Sequence, residues 1–160
     1  MRLRRLLGEA LIGAALVFTV NAYRARHIPA MAPALPPAWL GHAPALGRGQ
    51  VVLVDFWASW CPFCRADQGT IQALARDYPT VIIATSSPPA AVARFARRHH
   101  WHTPVILDPH GSLARRYGAN MLPTAVIVGA HGHIRAAVIG YATAAGLRIR
   151  LWWTQHAPSW

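Results

Sequence analysis

The 160-residue chain predicts an α/β sandwich in which helices flank a central mixed β-sheet. Three observations lead there. Short β-rich runs alternate with segments of helical period from Val51 onward, the first run is apolar on nearly every residue, and two late runs flank a glycine-containing turn. Alternation calls for crossover connections and parallel strands, and the late hairpin adds antiparallel ones.

Val51 to Trp57 reads as a strand buried on both faces, because Val, Leu and Phe leave it almost no polar side. Pro62 to Tyr78 reads as a helix with Ile71, Leu74 and Tyr78 on one face, and Gly69 should weaken it there by about 1 kcal/mol. A second strand follows at Val81 to Thr85. Pro88 and Pro89 open another helix, with Val92, Phe95 and Ala96 turned inward and Arg94, Arg97 and Arg98 toward water. Val105 to Leu107 is a short strand, Asp108-Pro109-His110-Gly111 is turn chemistry, and Ser112 to Tyr117 makes a helical turn or two. Ala125 to Val128 and Ile134 to Ile139 form the hairpin around Gly129-Ala130-His131-Gly132-His133, and Thr143 to Trp153 closes the chain with an amphipathic segment.

Ahead of this domain the composition changes twice. Residues 1–23 hold Arg2, Arg4 and Arg5 followed by an apolar stretch from Leu6 to Tyr23, interrupted by Glu9 and Asn21. Eighteen helical residues reach roughly 27 Å, just enough to cross a hydrocarbon core. The expectation is an uncleaved signal anchor with its N-terminus in the cytoplasm; the alternative is a cleaved signal peptide ending near Val20-Asn21-Ala22. Residues 24–49 carry five prolines among alanines and read as an extended spacer, residues 50–156 as the folded domain, and residues 157–160 as a tail.

All sixteen basic residues are arginine, five carboxylates oppose them, and the formal charge is +11. The arginines are scattered and accompany no nucleic-acid motif, so a nucleic-acid partner is not expected. His99, His100 and His102 cluster about Trp101, and His131 and His133 flank the hairpin turn. Solvated loop histidines explain them better than a coordination set, since nothing in the spacing completes one, and no metal site is expected.

Cys61 and Cys64 are the only cysteines. Two thiols three positions apart, where a strand gives way to a helix, suit a redox couple: Pro62 fits the first helical turn, and Cys61 then sits beside unpaired backbone N–H groups that favour its thiolate. A structural disulfide or half of a metal site is the plainer alternative, although zinc would need two further ligands.

The run Asp55-Phe56-Trp57-Ala58-Ser59-Trp60-Cys61-Pro62-Phe63-Cys64, with Leu122-Pro123-Thr124 about sixty residues later, resembles the thioredoxin superfamily. The segments Arg94 to Pro104, Asp108 to Gly111 and Tyr117-Gly118 are similar to its membrane-tethered TlpA- and ResA-like branch, and Gly146 to Trp153 resembles the suppressor-of-copper-sensitivity protein D subgroup. The resemblance implies a thioredoxin-like three-layer sandwich and a protein disulfide oxidoreductase with no cofactor beyond the cysteine pair. It implies Cys61 as the exposed attacking sulfur, Cys64 as the resolving one, Asp55 as the buried carboxylate that takes its proton, and Pro123 as a cis-proline. Trp60, Pro62, Phe63 and Leu122 are then candidate substrate contacts. The implied partners are disulfide-bearing proteins and a membrane electron donor of the DsbD or ScsB type, with the domain held in the periplasm by a single-pass inner-membrane helix and linked to copper tolerance. Alternatives are a reductase for cytochrome c maturation and, from a different class, a Cu(I)-binding module using the two thiolates.

Overall fold

The computed structural model describes residues 25–156 without a break, together with residues 12, 13, 16, 19, 20 and 23. From Val52 to His156 nine elements follow in order: β1 (Val52–Trp57), α1 (Pro62–Leu74), β2 (Thr80–Thr85), α2 (Pro89–Arg98), β3 (Val105–Asp108), α3 (Ser112–Arg116), β4 (Thr124–Val128), β5 (Ile134–Ile139) and α4 (Ala144–His156). The five strands form one sheet in the order β3-β2-β1-β4-β5. β1 and β2, and β2 and β3, pair in parallel, while β4 runs antiparallel to both β1 and β5. This is the thioredoxin-like α/β architecture expected from the sequence.

Alternation along β1 separates two cores. Leu53 and Trp57 face a layer made by α1, α2 and α4, which contribute Ile71 and Leu74, Val92 and Ala96, and Leu147 and Leu151. Val52, Val54 and Phe56 face the other side, where α3 supplies Leu113 and Ala114 and the following Tyr117 packs its ring 5.1 Å from that of Phe56. Trp57 is wholly buried and packs against the rings of Phe95 and Trp101, at 4.9 and 5.1 Å. Each such side chain contributes about 1.5–3 kcal/mol through burial.

Residues 26–50 are part of this packing, where a spacer standing off the domain was expected. Ala32, Leu35, Ala38, Ala43 and Leu46 pack on the second face of the sheet. Leu40 forms a bridge with Val105 at one edge, and Met31 forms one with His133 near the other. The Tyr117 hydroxyl donates to the Pro33 carbonyl at 2.6 Å. Small α3 leaves that face of the sheet half uncovered, and a proline-rich chain, which needs few backbone partners, fills it. Gly118 lets the segment approach: at φ +68° it sits against the backbone of His27, where an added Cβ would collide with the carbonyl.

Leu147 and Leu151 hold α4 to the sheet, but Trp152 and Trp153 follow at about 100° per residue and point to solvent, 53% and 67% exposed. Of residues 1–23, six are described and are helical, and the remainder, with residues 157–160, lie outside the described residues. Among the described residues no helix is long and apolar enough to cross a membrane. This overturns the expectation of a single-pass inner-membrane anchor and the periplasm-facing placement that depended on it; the apolar stretch was a marginal span, interrupted at both ends by Glu9 and Asn21.

Candidate active site

The site forms where β1, β2 and β3 end and β4 begins, the edge of an α/β sheet at which loops converge. Cys61 is the N-cap of α1, with extended backbone (φ −83°, ψ 113°), and Pro62 occupies the first turn, where its missing N–H leaves no orphan. The Cys64 N–H donates to Cys61 Sγ at 3.2 Å. A helix start therefore points a backbone donor at the sulfur, the arrangement that stabilises negative charge there. Cys61 and Cys64 are joined as a disulfide, their Cα atoms 5.3 Å apart.

The two sulfurs are not equivalent. Cys61 lines an open cleft of about 550 Å³, whereas Cys64 does not reach it. Cys61 is nevertheless only 4% exposed, so the expected exposed sulfur is in fact one reached from the cleft alone. Trp60 and Phe63 stand on either side of it in sequence and are largely exposed, giving the cleft an apolar rim. The Trp60 indole N–H donates to the Ser86 carbonyl at 2.8 Å, and the Ser59 N–H to Ser87 Oγ at 2.9 Å, which tie the cysteine loop to the end of β2. Ser86 is held at φ 47°, a conformation unusual for a non-glycine residue.

Leu122 and Met121 line the opposite part of the cleft, and the Leu122–Pro123 peptide is cis. Pairing of Phe56 with Thr124 puts that peptide beside the end of β1 and so next to the cysteine loop. Asp108, at the end of β3, accepts from Thr85 Oγ1, Ser112 Oγ and the Leu113 and Ala114 N–H groups, anchoring α3 under the cleft.

Behind the disulfide lie two buried carboxylates. Asp55 is 2% exposed, shares its face of β1 with Leu53 and Trp57, and its Oδ1 has no hydrogen-bond partner. Burial, reinforced by the charge of Asp67, raises its pKa to about 8. Asp67 is 3% exposed and also has an orphan Oδ1; burial raises it to about 6, against the opposing pull of a hydrogen bond from the Ala142 backbone. Burial thus favours the protonated form of both carboxyls, and the repulsion between them opposes ionising the pair together. Gln68 Nε2 is a third buried polar atom without a partner in the same region of α1.

All eight candidate site residues named from the sequence fall at this edge of the sheet: Trp60, Cys61, Pro62, Phe63 and Leu122 line the cleft, Pro123 follows Leu122 at the start of β4, and Cys64 and Asp55 lie behind it. Sequence reasoning missed Asp67. The signal was present, since Cys64, Asp67, Gln68 and Ile71 repeat at the same three-and-four spacing as the buried face of α1, which turns a carboxylate into the core. The histidines gather elsewhere: His42, His99, His100 and His102 line a separate groove of about 610 Å³ beside Arg76. Among the described residues no three His, Cys, Asp or Glu are placed to hold a metal ion.

Comparison with known proteins bears on the same segment. The AhpC/TSA family pattern matches residues 43–137, which contain both cysteines and the cis-proline. A thioredoxin-like protein of Haemophilus influenzae is 29% identical over 113 residues, 69% of this chain and 67% of its own length. The thiol:disulfide interchange protein DsbE of Allochromatium vinosum is 34% identical over 95 residues, 58% of this chain, and this chain spans only 52% of that protein. Among solved structures, StoA from Bacillus subtilis superposes with a TM-score of 0.60 at 25% identity, covering 74% of this chain and 98% of StoA.

Proposed function

The chain belongs to the AhpC/TSA family and is a thioredoxin-like thiol–disulfide oxidoreductase, and we propose that it works as a reductant of protein disulfides through Cys61 and Cys64. The observation that carries this is the asymmetry of the pair: one sulfur lines the cleft and accepts a backbone N–H, the other is shut away on the side of the buried carboxylates.

In the reduced protein, Cys61 thiolate attacks one sulfur of a substrate disulfide. A mixed disulfide forms, and the other substrate sulfur leaves as a thiolate. Cys64 then loses its proton to the ionised form of Asp55 and attacks Cys61 Sγ, closing the ring and releasing the second substrate sulfur. Two electrons pass to the substrate, and the protein ends as the disulfide. A group with a pKa of about 8 exchanges protons readily with a thiol, whose ordinary value is near 8.5, so little driving force is lost in either direction. Trp60, Pro62, Phe63 and Leu122 supply the apolar surface against which the substrate chain lies. Resupply of electrons requires a partner dithiol that attacks Cys61 through the same cleft. The narrower resemblance of Gly146 to Trp153 to the suppressor-of-copper-sensitivity protein D subgroup supports a link to copper tolerance.

The test is turnover of a disulfide-bonded model protein by the purified chain in the presence of a dithiol. Cys61→Ser should abolish exchange, and Cys64→Ser should stop turnover while accumulating a mixed disulfide on Cys61. Exchange by Cys61→Ser at the parental rate would refute the assignment.

A further inference from the structure

Charge around the cleft is distributed in a way that the redox chemistry does not need. Of the four described carboxylates, Asp55, Asp67 and Asp108 are buried, and Asp77 is committed to Arg148 at 2.7 Å. Among the described residues, therefore, no surface carboxylate is left to balance the arginines near the cysteines. Among the described residues Arg115 is the one charged side chain lining the cleft itself. On the far side of Trp60 a second groove of about 480 Å³ runs along α2, lined by Pro88, Ala91, Phe95 and the exposed Arg94 and Arg98. Trp60 lines both depressions, so they meet at the residue that precedes the reactive cysteine.

We propose that the Arg94–Arg98 groove selects substrates, and that the disulfide-bearing chain this protein prefers carries acidic residues a few positions from its cysteine. Arg94 and Arg98 stand one helical turn apart on one face of α2, where Cβ atoms are about 6 Å apart, a spacing that suits carboxylates two residues apart on an extended chain. Guanidinium groups recognise carboxylates through two parallel N–H donors, which selects the planar group as well as its charge. The apolar floor provided by Phe95, Ala91 and Pro88 accepts the side chains between them. A substrate cysteine held against Cys61 then has its acidic flank across Trp60, and Arg115 adds attraction from the other wall of the cleft. Repulsion gives the rest of the selectivity, because a basic flank meets three arginines and no carboxylate.

This proposal rests on the oxidoreductase reading and names its substrate class. Three synthetic peptides with one internal disulfide and Glu, Gln or Lys flanks separate the two. The full chain, kept reduced by a dithiol, should reduce the Glu peptide with a kcat/KM on the order of tenfold above the Gln peptide, and the Lys peptide more slowly still. The preference should shrink in 0.5 M salt, where the Debye length falls to about 4 Å. In Arg94→Glu/Arg98→Glu the Glu-to-Gln ratio should drop to one or below; each ratio is taken within one protein, so a general loss of activity cancels. Equal rates for Glu and Gln peptides, or a preference that survives the double substitution, would overturn the groove assignment while leaving the redox chemistry standing. Failure to reduce any of the three would overturn both.

Discussion

Asp55→Asn should make the oxidised protein more stable at neutral pH and remove most of the pH dependence of its stability. In the folded chain the carboxyl titrates at about 8, against an ordinary value of 3.8. Across that interval the unfolded chain has released a proton that the folded chain still holds, so stability is full below pH 4 and falls as pH rises through 8. At about 1.4 kcal/mol per pH unit, the roughly three units up to pH 7 amount to about 4 kcal/mol. Asparagine carries no such cost, although its amide would stand near a position already lacking a partner, which returns about 1–2 kcal/mol. The expected net gain is therefore about 2–3 kcal/mol at pH 7, larger at pH 8 and gone near pH 5. Urea denaturation of parent and variant, both oxidised, at pH 5, 6, 7 and 8 measures it, and groups common to both proteins cancel in the difference. A gain that is the same at every pH, or a variant less stable than the parent at pH 8, would refute the reasoning.

Asp67→Asn should lower the titration of Asp55, since it removes the negative charge that reinforces burial; NMR of the labelled Asp55 carboxyl carbon reports the direction. Gly69→Ala should stabilise the protein by about 0.5–1 kcal/mol in a denaturant melt, because the helix runs through this exposed position and an added Cβ meets nothing within 4 Å. Gly118→Ala should destabilise it by at least about 2 kcal/mol, combining a left-handed backbone with a collision against His27, and should raise proteolytic cleavage within residues 26–50 as that segment lifts away.

The sequence carried the fold wherever one local signal dominated. β1 was legible because its apolar run matches a strand buried on both faces, and the starts of α1 and α2 were legible because Pro62 and Pro89 sit where a first turn tolerates them. The hairpin followed from glycines between two β-branched runs. Residues 26–50 misled because their packing is tertiary: no period of 2 or 3.6 marks a chain held by scattered apolar contacts, a bridge at each sheet edge and a tyrosine hydroxyl. α1 runs without a break through Gly69, a weak helix former, because Gln68 and Ile71 on either side of it are buried. In the site, the cysteines, Asp55 and Pro123 were visible as a linear motif. For Asp67 only its place on the buried face of α1 was legible, since its interaction with Asp55 arises when helix and sheet pack, and the Arg94–Arg98 groove exists only once α2 is laid beside Trp60.

The central claim is that Cys61 is the ionised, reachable sulfur and Cys64 the sheltered one. Alkylation of the reduced protein by iodoacetamide between pH 5 and 9, with the modified cysteine located by mass spectrometry, tests it most directly. The account expects Cys61 to be labelled first at every pH, with a midpoint below the usual thiol value of about 8.5, and Cys64 to stay protected. Faster labelling of Cys64, or equally slow labelling of both with an ordinary thiol midpoint, would contradict it.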